Sequence, residues 1–197
     1  RIRQDKEWAE IAVGWETANR YGVLAEDREV AYVLERGGGV ANALGRQFMG
    51  SHRPLDVLVT AGRGGRGLLF FDRPFYWFFS TMKVFSEVTQ KSVGRIERRF
   101  AILHRIYDLY DETGRLFARV KSPWWRFWTF PVLDPQGERR AVIAKKWGGV
   151  LREGFTDADT FAIDFGDHAW TLSQRAVLFA AAISIDFDFF ENQQGLS

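Results

Sequence analysis

The chain contains no cysteine, and that absence removes disulfides, thiolate nucleophiles, zinc–thiolate sites and S-acyl anchors. Histidine is scarce: His52, His104 and His168 stand at spacings that match no metal motif such as H-E-x-x-H. There is no G-x-S-x-G either, so nucleophilic catalysis has no visible candidate and the reading is of a non-enzymatic protein. Charge of neither sign dominates. A net charge of +2 does not by itself imply nucleic acid, the least favoured partner. Local basic clusters, RIERRF at 95–100 and Lys145–Lys146, suit anionic lipid or phosphate, or a solvated face. The first residues, RIRQDKEWAEIA, are charged where the apolar core of a signal peptide would be required, which predicts a cytoplasmic, peripheral location and a short extension over 1–12.

Composition bounds the rest. With 197 residues, 46% hydrophobic and 26% charged, the chain suits one globular domain with a sizeable core. Five segments share a plan of apolar alternation, a polar or Gly-bearing turn, and renewed alternation: 21–35, 55–71, 82–97, 107–120 and 130–147. Period-two alternation about a turn is the signature of a β-hairpin, and five in series predict an antiparallel meander of about ten strands. A sheet that long curls or closes, since closure alone removes unpaired edges.

The run from Ala176 to Ile185 carries no charge. As a helix it is about 15 Å long against about 30 Å of hydrocarbon, too short to span. Asp186 and Asp188 close it, and both are costly in lipid. A helix apolar all round reads as a buried element, and Ala176, Ala180, Ala181 and Ala182 keep it slim enough for a barrel lumen, with membrane insertion or an oligomer contact as the alternative uses. The span 170–190 is therefore predicted as a central helix with its end, and the alternation of IDFDFF predicts a closing strand.

GWETANRY (14–21), RPFYWFF (73–79), IERRF (96–100), KKWGGVLREGFTDADTFAIDF (145–165) and IDFDFFE (185–191) stand in the order of the phospholipid scramblase family, which the chain resembles over nearly its whole length. That family in turn resembles the tubby C-terminal domain. The resemblance implies a closed antiparallel barrel of about 12 strands around a hydrophobic C-terminal helix. It also implies calcium-stimulated, ATP-independent movement of phospholipids between leaflets, or lipid headgroup binding. Where acylated family members carry a Cys-rich run, this chain reads GGGVANALGRQFMGSHRP (37–54), so the acyl anchor is missing.

Three local features bear on a site. GRGGRG (62–67) satisfies G-x-G-x-x-G, but LLFFDRPFYWFF follows with Pro74 and strand-forming aromatics where a helix must open, so it is a hairpin turn. PFYWFF (74–79) and SPWWRFWTF (122–130) concentrate aromatics beside Arg73 and Arg126. Arg73, Trp124, Trp125 and Arg126 are accordingly the expected contacts to an anionic phospholipid surface, with core filling as the alternative use of the rings and a protein partner as the alternative occupant. In DADTFAIDFGDH (157–168), alternation predicts a strand over 160–165 with Phe161, Ile163 and Phe165 inward. The resemblance implies calcium ligands from Asp157, Asp159 and a carboxylate near the twelfth position, where this chain has His168 preceded by Asp167. Three carboxylates without the glycine turn or closing Glu of an EF-hand imply weak calcium binding, with turn and helix-cap roles as the alternative.

Overall fold

A computed structural model describes residues 2–4, 20–25, 28–36, 54–76, 79–126, 128–146 and 160–189. Among the described residues twelve strands precede one helix: β1 Ile2–Gln4, β2 Arg20–Ala25, β3 Arg28–Glu35, β4 Leu55–Thr60, β5 Gly67–Arg73, β6 Thr81–Ser86, β7 Ser92–Arg99, β8 His104–Asp111, β9 Leu116–Pro123, β10 Thr129–Leu133, β11 Arg139–Lys146, β12 Thr160–Asp164, and α1 Leu172–Phe189. The five hairpins read from the sequence are β2–β3, β4–β5, β6–β7, β8–β9 and β10–β11.

Turn chemistry explains two of them. In both DETG (111–114) and DPQG (134–137) the Asp Oδ1 accepts from the backbone N–H two and four residues on, while Gly114 and Gly137 take the positive φ that completes the turn. A register shift sits next to the turn in every hairpin, at Val23/Leu24, Val59/Thr60, Val84/Phe85, Leu109/Tyr110 and Val132/Leu133. Each bulge adds local twist, and repeating it around the sheet supplies the curvature a barrel needs.

Strands β2 to β12 form one antiparallel sheet of eleven strands, and the short β1 pairs with β2 and with β12. Residues 2–4 are thus part of the sheet and not of an N-terminal extension: Ile2 opposes Phe161 and Val23 and is buried. The physical reason is that Ile2 covers apolar surface that the β2 and β12 edges would otherwise expose.

The barrel interior is packed around α1. Alternate wall residues such as Val57, Phe71, Val84, Ile96, Leu109, Val120, Val132 and Ile143 are buried with Val177, Leu178, Ala181 and Ile185 of the helix. Gly94 sits where β7 meets α1: a Cβ there would lie 2.3 Å from the Tyr110 carbonyl and 2.6 Å from Val177 Cγ2. The helix opens with a capping box, TLSQ, in which Gln174 N–H donates to Thr171 Oγ1 and Thr171 N–H donates to Gln174 Oε1. The acidic residues before it are therefore not its cap. IDFDFF does not turn back into a strand either. The helix continues to Phe189, with Asp186 and Asp188 inside it, because both carboxylates find partners in the wall.

Candidate functional site

The meander gives the barrel two unlike ends. One carries the paired ends of the five hairpins and the entry to α1; the other carries the C-terminal ends of β3, β5, β7, β9, β11 and α1. The second end concentrates nearly all unusual side chains of the described residues.

Beneath its surface lies a buried charge cluster. Asp186 and Asp188 are two residues apart, about 200° around the helix, and so face opposite walls. Asp186 accepts from Tyr21 Oη at 2.7 Å and from Lys145 Nζ at 3.3 Å. Asp188 accepts from Arg73 at 2.7 Å and from Tyr107 Oη at 2.8 Å, with Arg98 at 3.7 Å. Burial and the Asp188 charge push the Tyr107 hydroxyl well above its ordinary range, so it stays a donor. Acids near a helix C-terminus oppose the helix dipole, and the last turn has no base of its own. Cations supplied by the wall offset both this and the desolvation of the carboxylates.

At the surface, three successive loops project apolar tips. The β5–β6 loop exposes Phe79; the β7–β8 loop exposes Phe100, Ile102 and Leu103; the β9–β10 loop exposes Trp124, Trp125 and Trp128. Those seven are all but three of the large apolar residues exposed among the described residues; Val30, Val88 and Leu172 stand singly at the other end. The loops are tied together: Trp124 N–H donates to the Leu103 carbonyl at 3.2 Å and Arg98 N–H to the Ser80 carbonyl at 2.9 Å. Arg126 is exposed among them. The Arg105 guanidinium, pulled below its ordinary pKa by burial, stacks 4.8 Å from the Trp124 ring.

Of the expected lipid contacts, Trp124, Trp125 and Arg126 are brought together on one exposed loop. Arg73 is not with them. It is 1% exposed and ion-paired to Asp188, because it shares the inward parity of Leu69 and Phe71 on β5. Phe100, Ile102 and Leu103 went unseen, since FAIL in the sequence is a short apolar run without aromatic clustering. Trp77 and Phe78 of PFYWFF lie outside the described residues.

The acidic segment assembles no calcium site among the described residues. Asp157 and Asp159 lie outside them. Asp167 and His168 are exposed at the hairpin-turn end, in a groove of about 530 Å³ shared with Arg139 and Arg140, whose charge disfavours a cation. Asp164 is occupied, accepting from Gly166 N–H at 3.0 Å, and the His168 ring packs 4.3 Å from that of Trp170. GRGGRG is indeed the β4–β5 hairpin turn, with Arg63 stacked 5.2 Å from the Tyr32 ring.

The described residues thus form a mainly β sheet wrapped on a helix, with charge buried at one end and aromatic loops above it. A Scramblase family model matches residues 1–192, and the chain belongs to that family. It is 29% identical, over 96% of its length, to Altered inheritance rate of mitochondria protein 25 of Saccharomyces cerevisiae, of which it covers 69%. It is 24% identical, over 98% of its length, to a phospholipid scramblase family protein of Schizosaccharomyces pombe, of which it covers 60%. Phospholipid scramblase 1 of Homo sapiens is 48% identical over 50 residues, 25% of this chain and 15% of the human protein. No solved structure matches the chain.

Proposed function

We propose that this scramblase-family chain acts at a membrane surface, binding anionic phospholipid through the β9–β10 loop and assisting lipid movement between leaflets without ATP. The observation that carries the reading is the exposure of Trp124, Trp125 and Trp128 on one short loop around Arg126. Indoles prefer the lipid–water interface, where the ring meets acyl chains and the N–H meets headgroups, and an adjacent guanidinium suits a phosphate. Peripheral attachment fits the other elements. No helix among the described residues is long and apolar enough to cross a membrane. The outer wall of β7–β9 carries Arg95, Glu97, Arg99, Asp108, Arg119 and Lys121, whereas a spanning barrel presents an apolar band to lipid. In this reading the working form is the closed, tubby-like barrel completed by β1, and calcium plays at most a weak accessory part. Names of relatives support the lipid class, since two carry phospholipid scramblase in theirs.

Flotation of the chain with phosphatidylserine-containing and with purely phosphatidylcholine vesicles, with and without calcium, tests binding; a dithionite-quench assay on vesicles containing fluorescent lipid tests movement between leaflets. Flotation with anionic vesicles alone and faster loss of inner-leaflet fluorescence support the proposal. A folded chain that floats with neither vesicle points instead to a protein partner on the same face.

A further inference from the structure

The polarity of the barrel says more than that one loop touches lipid. Resting on the reading above, we infer that the barrel docks end-on to an anionic bilayer, with Phe100, Ile102 and Leu103 of the β7–β8 loop entering the interface beside Phe79 and the tryptophans, and the hairpin turns facing water.

Four observations carry this. The apolar tips are among the most exposed large hydrophobics of the described residues, 78% for Phe100 and 81% for Ile102, on a loop too short to bury them in the protein. They are grouped: hydrogen bonds join the β7–β8 loop to the β9–β10 loop, and the end of β7 to the β5–β6 loop, so the tips form one rigid rim. Cations stand just behind them, with Arg126 on the rim and Lys121 near the end of β9, where phosphates would lie once the tips reach the acyl boundary. The opposite end has exposed cations of its own, Arg63, Arg66, Arg115 and Arg139, but no cluster of apolar tips to insert, since Val30, Val88 and Leu172 stand singly. Docking by the side of β7–β9 would push the Arg99–Asp108–Arg119 bridges against lipid.

The buried cluster fits the same orientation. The Asp186 and Asp188 ties fasten the last turn of α1 to walls directly beneath the rim, so the end that meets the membrane is braced from inside. Insertion of exposed side chains into a braced scaffold loses less ordering entropy than insertion of a free segment.

The absence of cysteine makes the test direct. Single variants Ile102→Cys, Leu103→Cys, Val88→Cys and Arg119→Cys are labelled with an environment-sensitive fluorophore and bound to phosphatidylserine-containing vesicles with lipid-borne quenchers. Ile102 and Leu103 labels should shift blue and be quenched, while Val88 and Arg119 labels stay aqueous. The unlabelled pair Ile102→Ser with Leu103→Ser should lower partition at least about tenfold, and Val30→Ser with Val88→Ser less than about twofold. Binding by the unaltered chain with quenching at Val88 or Arg119, or with the Ile102 and Leu103 labels left in water, overturns the orientation and leaves lipid binding standing. Failure of the unaltered chain to bind any vesicle overturns the lipid reading itself, and the orientation with it.

Discussion

The Asp188 carboxylate in the last turn of α1 lies 2.7 Å from the Arg73 guanidinium at the end of β5, both side chains fully enclosed. The two are 115 residues apart in sequence, so the pair joins the end of the chain to the middle of the meander. On the opposite wall Lys145 and Tyr21 hold Asp186. The helix is keyed into the barrel by charge at one end and by apolar packing along its length.

Removing one partner leaves the other's charge buried. Asp188→Ala should destabilise the fold by about 3–5 kcal/mol, since Arg73 loses its carboxylate, and Asp186→Ala should act similarly through Lys145. Denaturant unfolding measures both. A loss under about 1 kcal/mol for Asp188→Ala would show that water or rearrangement compensates the charge.

Close approach of α1 to β7 depends on Gly94, which has a positive φ of 148° and no room for a Cβ against the Tyr110 carbonyl and Val177. Gly94→Ala should lower stability by about 1–3 kcal/mol through overpacking and backbone strain. Thermal melts check this; a melting temperature equal to that of the unaltered chain would mean the helix can shift away from the wall without cost.

Stability should fall in acid partly through Asp108 on the outer face of β8. Burial alone would raise its pKa, but hydrogen bonds from Arg119 and Arg99 outweigh that and hold it below the ordinary value. A carboxylate depressed in the folded state stabilises above its unfolded pKa of about 3.9, and the contribution fades as pH falls through the lower folded value. Asp108→Asn should therefore cost about 2 kcal/mol near pH 7 and less below about pH 4. A pH-independent cost would remove the ionic account.

Calcium affinity, which rests on the resemblance at 157–168, should be no tighter than about 10⁻⁴ to 10⁻³ M by calorimetric titration. Because Asp167 lies beside Arg139 and Arg140 at the hairpin-turn end, Asp167→Asn should leave that affinity unchanged, while Asp157→Asn with Asp159→Asn should abolish it. Loss of binding on Asp167→Asn alone would place an ion at the hairpin-turn end.

Hairpins were legible because alternation and turn residues lie within a few positions of each other: DETG and DPQG show their turn chemistry directly. The central helix was legible from Ala176 to Ile185, where absence of charge and small side chains coincide. Its true end was not. Asp186 and Asp188 read as stops because their partners, Arg73, Lys145, Tyr21 and Tyr107, come from strands remote in sequence. Arg73 was misplaced for a related reason: proximity to aromatics suggested a surface, although its parity with Leu69 and Phe71 already pointed inward. Neither β1, only three residues long, nor the exposure of Phe100, Ile102 and Leu103 leaves a local signal. The TLSQ capping box, by contrast, is local: Thr171 and Gln174, and not the acids before them, exchange the bonds that open the helix.

The central claim, that the loop end of the barrel binds an anionic membrane, is tested most directly by a salt-dependent binding isotherm on phosphatidylserine-containing vesicles. The unaltered chain and a variant with Trp124→Ala and Trp125→Ala are compared. The account predicts binding that weakens as salt screens the rim arginines, and a variant weaker by at least about tenfold at every salt concentration. Equal binding by the two chains, or affinity indifferent to lipid charge, would contradict it.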